Sequence, residues 1–317
     1  MGVKAQVLSS TADMEHKEWL ESRKKGIGGS DAASIAGLNK WKSPMVVYME
    51  KIGEAPNTEP TNEEAAYWGN VMEATVAQEF SRRTGLKVRK RNAILQHPEH
   101  EWMLANVDRL IVGKNEGLEC KTASEYLKGE WDGEEIPGAY LLQCQHYMAV
   151  TGADAWWIAV LIGGNKFVYK KIDRDEELIA YLIDIEKEFW EGRVVKQEPP
   201  EIDGSEASSE LLKALYPQSE PESETDLDSD TDKLIEGLQQ VKEEMNDLNT
   251  RKKKYENQLK QILGTYEKGF SNHYVITYKS QERRTVDSKR LKAEKPDLYD
   301  EYSKVSSSRP LKFKEAK

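Results

Sequence analysis

Apolar and polar positions alternate along the first 200 residues in two different periods. A helical period is clearest over 63–84, where apolar side chains form one stripe before Gly85. Helices are also predicted near 13–25, 32–36, 43–50, 139–150 and 176–191. Strand-like runs lie near 87–95, 102–112, 117–123, 155–161 and 166–172. This order predicts an α/β fold with a mixed central β-sheet flanked by helices, which we assign to residues 1–200.

The pattern changes after residue 200. Residues 201–232 contain eleven acidic residues and one basic residue, with Ser and Pro between them, so we expect an acidic flexible linker. Farther on, apolar residues recur at alternating spacings of four and three, at Leu234, Leu238, Val241, Met245, Leu248, Tyr255, Leu259 and Ile262. That spacing predicts a coiled-coil strand or helical hairpin of about four heptads, with Lys252 at the missed position. A short strand at 274–278 and a basic tail complete an extension over 233–317.

The net charge of −10 at first argues against a nucleic-acid partner. Much of that charge belongs to the linker, however, whereas 233–317 is net basic and clusters such as 23–25 and 87–91 are locally basic. The two cysteines are too few for a disulfide framework, and we expect a reducing, cytoplasmic location. The sequence has no apolar run long enough to span a membrane, so no membrane partner is expected.

The strongest candidate for chemistry is formed by Asp108, Glu119 and Lys121. Glu119 and Lys121 are two apart in one predicted strand and therefore share a face. Asp108 reaches that face if the strands pair as a hairpin through 113–117. Two carboxylates and an ammonium at one sheet edge can hold a divalent metal and activate water against a phosphodiester. On the triplet alone, a solvated strand face with a Glu–Lys ion pair is the competing interpretation.

Further residues stand where such a site would need them. Glu73 lies on the helix before the sheet, although a solvent-facing glutamate is the ordinary alternative. Gln143, Gln145 and Tyr147 lie on the helix after the Glu119 strand; Gln143 and Tyr147 share a face, and the choice between the two glutamines stays open. The alternative for that helix is mixed polarity with a buried tyrosine, and His146 is expected to be a structural or surface histidine and not a catalytic base.

A glycine-rich segment precedes these elements. Arg23 can grip a phosphate, and the glycines before Ser30 let backbone N–H groups approach an oxyanion. A glycine-rich turn with an ordinary helix cap is the alternative. The backbone carbonyl of Cys120 lies between Glu119 and Lys121 and could ligate a metal, whereas its thiol has no neighbour that would activate it.

The order of five motifs along the chain resembles the YqaJ-like viral recombinase family. These motifs are Arg-x6-Ser, Trp-Gly-x3-Glu, Asp, Glu-x-Lys and Gln-x-Gln-x-Tyr. That family is similar to the lambda-exonuclease-like enzymes of the PD-(D/E)xK nuclease superfamily, and the resemblance covers about residues 15–200. It implies a restriction-endonuclease-like core. It also implies 5′→3′ exonuclease activity on linear double-stranded DNA, leaving 3′ single-stranded tails for recombination by strand annealing.

The resemblance also implies roles for these residues. Asp108, Glu119 and the Cys120 carbonyl would ligate Mg²⁺, with Mn²⁺ as a substitute, and Glu73 would be a further ligand in a two-ion site. Lys121 would polarise the attacking water, Gln143 or Gln145 would orient it or Lys121, and Tyr147 completes the motif. Arg23 and Ser30 would bind the 5′-terminal phosphate.

The implied partners are double-stranded DNA ends, further copies of the chain in a trimeric ring, and a RecT-like single-strand annealing protein. The implied origin is a phage or prophage in a bacterial host. Two alternatives remain: a structure- or sequence-specific endonuclease of the same superfamily, and a catalytically inactive DNA-binding protein. We also expect 233–317 to serve assembly or partner binding.

Overall fold

The computed structural model describes residues 4–56, 63–304 and 309–313. The chain forms two compact units, Met1–Pro217 and Gln218–Lys317. Within the described residues, every helix is too short or too polar to cross a membrane.

The described strands of the first unit are β1 (Gln6–Ser10), β2 (Ile27–Gly28), β3 (Val88–Lys90), β4 (Ala93–Gln96), β5 (Met103–Asn106), β6 (Arg109–Ile111), β7 (Glu116–Ala123), β8 (Ala155–Ile162) and β9 (Lys166–Asp173). Its described helices are α1 (His16–Arg23), α2 (Gly29–Ile35), α3 (Pro44–Ile52), α4 (Glu63–Thr84), α5 (Gly138–Thr151), α6 (Glu176–Lys187) and α7 (Glu206–Leu215). A 3₁₀ helix spans Glu125–Trp131, and α6 continues into a π-helical segment, Glu188–Val194.

The strands form two sheets, in the orders β3-β6-β7-β8-β9 and β1-β4-β5-β2. Both sheets are mixed, because β7 pairs with β8 in parallel and β2 pairs with β5 in parallel, while the other pairs are antiparallel. The predicted mixed α/β fold flanked by helices is confirmed. The predicted mixed central sheet is the five-stranded one, and the second sheet is an addition that arises because the runs 87–95 and 102–112 each break and pass from one sheet to the other.

Helices cover both faces of the five-stranded sheet. Phe80 of α4 packs in one buried cluster with Leu118, Cys120 and Ala159. Met148 of α5 belongs to the main core, which also contains alternate residues of β8. Residues of β7 therefore divide between two covered faces, and Glu119 and Lys121 lie on the α5 side.

The predicted linker over 201–232 is partly wrong. Residues 206–215 form α7, whose Ala207, Ser208 and Leu211 are buried, so the first unit extends to Pro217. The Ser205 hydroxyl caps this helix by accepting a hydrogen bond from the Ser208 N–H. The acidic composition of the whole segment 201–232 did not indicate this short amphipathic helix, because its apolar face needs only a few residues.

The described elements of the second unit are α8 (Ser229–Leu263), β10 (Lys268–Phe270), β11 (Val275–Thr277), α9 (Ser288–Glu294) and α10 (Pro296–Tyr302). The predicted helix and short strand are present, and β11 pairs with β10. The apolar stripe of α8 is between 36% and 79% exposed, so the described residues of this unit do not bury it. Pairing of that stripe in a coiled coil stays a prediction. Part of the predicted basic tail, 305–308 and 314–317, lies outside the described residues.

Gly117 allows the sheet to close tightly on its core. A Cβ at this position would overlap the ring of Trp156, which is fully buried and cannot move aside. We expect Gly117→Ala to lower the free energy of unfolding by about 1–3 kcal/mol through overpacking. Chemical denaturation measures this, with Gly129→Ala as the control because a Cβ there meets open space. Equal stability of the two variants would contradict the packing of β7 against β8.

Candidate active site

The candidate site lies where the pairing of β6 with β7 ends. Arg109 pairs with Leu118, and the residue before Arg109 leaves the sheet toward β5. At that point the carboxylate of Asp108 replaces a backbone partner, and its Oδ2 accepts the Cys120 N–H at 2.8 Å. The predicted hairpin is thus present, but Asp108 sits in the link between the sheets and not inside a strand.

Glu119 and Lys121 extend from the α5 side of β7. Lys121 Nζ lies 2.6 Å from Glu119 Oε1, and Gln143 Nε2 donates to the same oxygen at 2.8 Å. Gln143 Nε2 also lies 2.8 Å from the Tyr147 hydroxyl oxygen, which accepts its second N–H. Among the described residues, Glu119 Oε2 is buried without a hydrogen-bond partner. One oxygen of this carboxylate is therefore fixed, while the other is available.

The charges at this site are unevenly compensated. Burial, followed by repulsion from Glu119, raises the pKa of Asp108 well above its usual range. Burial alone would lower the pKa of Lys121, but the Glu119 carboxylate outweighs it and raises that pKa. Lys121 therefore stays an ammonium. Its single positive charge does not balance the two carboxyl groups of Asp108 and Glu119.

Glu73 reaches the site from α4, as predicted, but it already has a cationic partner. Its Oε1 forms an ion pair with Nη1 of Arg109, whose side chain is only 9% exposed. The same Nη1 donates to the backbone oxygen of Asp108 at 2.8 Å. Sequence reasoning missed Arg109, although an arginine inside a short buried strand is unusual enough to have been noticed.

The residues present fit a divalent cation. The unpartnered Glu119 oxygen and the Asp108 carboxylate are the hard oxygen ligands that Mg²⁺ prefers. The N–H and C=O of a strand residue point to the same side, so the Cys120 carbonyl faces the side of Asp108. No three acidic, histidine or cysteine side chains of the described residues form a ready ligand set. The expected third carboxylate ligand, Glu73, is instead paired with Arg109.

A second group of charges surrounds Asp31 at the start of α2. Its buried carboxylate accepts Lys51 Nζ at 2.7 Å and Lys42 Nζ at 2.9 Å, and Arg23 Nη2 lies 3.5 Å away. Burial would raise the pKa of Asp31, but the three cations outweigh it and hold that pKa well below its usual range. Arg23 also donates to Ser30 Oγ at 2.9 Å. Positive charge is therefore in excess here.

The sequence prediction named Arg23 and Ser30 but missed Asp31, Lys42 and Lys51. Lys51 carries the usable signal, because it follows Glu50 as one of two charged residues in the mostly apolar helix α3 and is buried in the structure. Its carboxylate partner is twenty residues away, and only the folded chain brings the two together.

One cleft of about 400 Å³ reaches from the first group to Arg23 and Ser30 of the second, whereas Asp31, Lys42 and Lys51 do not line it. Its lining includes most of the predicted site residues together with part of a basic segment, namely Arg23, Ser30, Glu73, Asp108, Lys121, Gln143, Tyr147, Lys90 and Arg91. Glu119 lies behind Lys121 and Gln143, to which it is bonded.

Gln145 does not belong to this cleft, so its assignment to the site is wrong. It donates to the Asp173 backbone oxygen at 2.9 Å and accepts the Asp175 N–H at 3.1 Å, which ties α5 to the start of α6. Two positions along a helix rotate a side chain away from Gln143. The expectation of a structural His146 is confirmed: it is buried between Glu186 and the Leu104 carbonyl.

The raised pKa of Asp108 predicts a stability effect of defined sign. The unfolded chain loses this proton near pH 4, whereas the folded chain holds it to higher pH, so stability falls as pH rises between the two values. Asp108→Asn has no carboxyl group to titrate, so it removes this loss of stability, and its side-chain oxygen can still accept the Cys120 N–H. In EDTA at pH 7 it should raise the free energy of unfolding by about 1 kcal/mol or more.

The gain should shrink toward pH 3, where Asp108 is protonated in both states. Thermal and chemical denaturation across this pH range measure it, with Asp184→Asn at an exposed position of α6 as the control. A destabilised Asp108→Asn chain at pH 7 would show that the carboxylate is well compensated without a metal.

Comparisons with known proteins found relatives by sequence and by structure. The model of the YqaJ-like viral recombinase domain matches residues 18–154. The uncharacterized protein YqaJ of Bacillus subtilis (strain 168) is 44% identical over 314 residues, which cover 98% of each protein. An alkaline exonuclease from Laribacter hongkongensis has a TM-score of 0.48 and 19% identity, covering 57% of this chain and 96% of its own.

A phage-related exonuclease from Haemophilus somnus 129PT has a TM-score of 0.43 and 14% identity, covering 54% of this chain and 96% of its own. The near-complete match to the B. subtilis protein determines the assignment. The chain belongs to the YqaJ-like viral recombinase family.

Proposed function

We propose that this protein is a metal-dependent deoxyribonuclease that degrades linear double-stranded DNA from the 5′ end and leaves a 3′ single-stranded tail. The observation that carries the proposal is the group formed by Asp108, Glu119 and Lys121 at the end of the β6–β7 pairing. A free carboxylate oxygen on Glu119, together with the Asp108 carboxylate and the half-buried Lys121 ammonium that line the cleft, suits hydrolysis of a phosphodiester.

Asp108, Glu119 and the Cys120 carbonyl would hold Mg²⁺ or Mn²⁺. Such an ion generates a nucleophilic hydroxide near neutral pH and offsets charge on the phosphate. Lys121 remains protonated beside Glu119, so it can donate to a phosphate oxygen or to the attacking water. Gln143 holds Glu119 in place through one oxygen, and the Tyr147 hydroxyl fixes the Gln143 amide in turn.

The positive end of the cleft supports recognition of a DNA terminus. The Arg23 side chain is 30% exposed and bonded to Ser30, while two carboxylates, Asp31 and the Lys42 partner Glu50, oppose three cations. A 5′-terminal phosphate carries more charge than an internal phosphodiester and would gain most from this surplus. Because this end and the carboxylates share one cleft, a bound terminus would place a nearby bond at the carboxylates. This favours an exonuclease over an endonuclease.

The activity is tested on a linear duplex that is 5′-phosphorylated and labelled separately at each end. With Mg²⁺ the native chain should release the 5′ label as mononucleotides and retain the 3′ label. Lys121→Ala should be slower by about 10²–10⁴-fold, because it loses a donor to the reacting phosphate or water. Lys128→Ala, at an exposed position, serves as the matched control and should resemble the native chain.

Three results would contradict the proposal. Cleavage of closed circles as fast as linear DNA would indicate an endonuclease. Full activity in EDTA would remove the metal from the account. No cleavage by the native chain, with DNA binding retained, would indicate a binding protein.

Arg23 should determine the preference for a phosphorylated end. We expect Arg23→Gln to reduce the native ratio of kcat/KM for 5′-phosphate over 5′-hydroxyl duplexes by about 10–100-fold, since it removes a charged hydrogen bond. The rate on 5′-hydroxyl ends should change much less. Lys25→Gln, exposed two residues away, is the control. An unchanged ratio in Arg23→Gln would place terminal-phosphate recognition elsewhere.

We further propose that the second unit mediates assembly of the chain or docking of a RecT-like single-strand annealing protein. The exposed apolar stripe of α8 supports this, because a long helix with such a stripe usually packs against another helix. The native exonuclease is proposed to act as a homo-oligomer, by resemblance a trimeric ring.

Charges placed on the stripe should separate assembly from catalysis. Val241→Glu combined with Leu248→Glu should reduce the molar mass in solution or abolish binding of the annealing protein. Exonuclease activity on a short duplex should stay within about twofold of native, because the catalytic unit has its own core. Light scattering and pull-down measure the first effects, with outward-facing Asn246→Glu as the control. Loss of all nuclease activity would refute this division of roles.

A further inference from the structure

Arg109 is a buried charge beside the candidate metal ligands to which the proposed reaction gives no role. Its side chain is 9% exposed, and Nη1 contacts both the Glu73 carboxylate and the backbone oxygen of Asp108. Its backbone lies in β6 between two paired strands, opposite Lys90 on one side and Leu118 on the other. The sheet therefore fixes the origin of this side chain, and the two contacts fix its end.

The pairing decides which carboxylates remain for a cation. Each of two carboxylates has its own cation, since Lys121 contacts Glu119 and Arg109 contacts Glu73. Glu119 keeps one buried oxygen without a partner, and Arg109 holds Glu73 through Oε1. A cation that took Oε1 of Glu73 would displace Arg109 and leave that guanidinium buried without its anion, which is costly. A cation at the other Glu73 oxygen would share the carboxylate with the guanidinium.

The guanidinium itself also opposes a second ion. It lies within hydrogen-bond distance of the Asp108 backbone, so a second dication ligated by Glu73 would stand close to a fixed positive charge. One dication together with Lys121 and Arg109 already exceeds the charge of Asp108, Glu119 and Glu73. The free chain therefore lacks the negative charge that a second dication would require.

We propose that Arg109 takes the place of a second metal ion: it holds Glu73 out of ligation, and each chain binds one divalent ion, between Asp108 and Glu119. Arg109 is then a positioning residue for Glu73. This inference rests on the proposed function, because it presumes that Asp108 and Glu119 bind a divalent ion, and it revises the two-ion site that the family resemblance implies.

The test is the number of Mn²⁺ ions bound by the full-length chain without DNA. Free Mn²⁺ is followed by electron paramagnetic resonance during titration of the chelator-treated protein. The native chain and Arg109→Lys, which keeps the positive charge, should each bind one ion. Arg109→Gln should bind two, because Glu73 becomes available as a ligand. Two ions on the native chain, or one ion on Arg109→Gln, would overturn the inference.

The double variant Glu73→Gln with Arg109→Gln decides the matter even if Arg109→Gln alone fails to fold, because it removes the ion pair without leaving an unpaired charge. If Arg109 keeps Glu73 from the ion, the double variant should bind one Mn²⁺ with a Kd within about threefold of native. Any greater weakening would make Glu73 a ligand and overturn the inference. Circular dichroism confirms that each compared variant is folded.

Asp108→Asn separates this inference from the proposed function. That variant should lose Mn²⁺ binding by about 100-fold, because it removes a direct ligand. Unchanged binding in Asp108→Asn, or no binding by the native chain, would refute the metal site of the proposed function and the inference with it. If the native chain binds two Mn²⁺ ions, or Arg109→Gln binds one, while Asp108→Asn loses Mn²⁺ binding as expected, then only the inference is refuted and the proposed function stands.

Discussion

The hydrogen bond from the Cys120 N–H to the Asp108 carboxylate is the contact on which the candidate site depends. It exists because β6 begins one residue too late to continue the backbone pairing with β7. A side-chain carboxylate takes over, so Asp108 is held beside Glu119 despite their mutual repulsion. The helix α5 then supplies Gln143 and Tyr147 to the same face of β7, where they fix Glu119.

The cleft carries opposite charge surpluses at its two ends. Around Asp108 and Glu119 the carboxylates outnumber the cations, whereas around Asp31 the cations outnumber the carboxylates. Each arrangement costs stability in the empty protein, because buried charges without compensation are unfavourable. Such costs concentrate at functional sites, and here each surplus is complementary to a component of the proposed substrate complex: a divalent cation at one end and a terminal phosphate at the other.

The sequence predicted the parts of this site that follow from local periodicity. Strand alternation placed Glu119 and Lys121 on one face, and the glycine-bounded hairpin brought Asp108 near them. The break between β5 and β6 was not predictable in this way, because the apolar run through 102–112 continues while the chain changes sheet. Gln143 and Gln145 were equally plausible in sequence, since only tertiary packing shows which helix face meets β7. The sequence did not indicate the ion pairs of Arg109, Lys42 and Lys51, because their partners are distant in sequence.

The central claim is that the carboxylates at the end of the β6–β7 pairing hold a divalent ion. The most direct measurement is anomalous X-ray diffraction from crystals of the native protein soaked with Mn²⁺. An anomalous peak is expected within ligating distance of Asp108, Glu119 and the Cys120 carbonyl oxygen. A peak only at other carboxylates would contradict this metal site. The absence of any peak, although the protein binds Mn²⁺ in solution, would also contradict it.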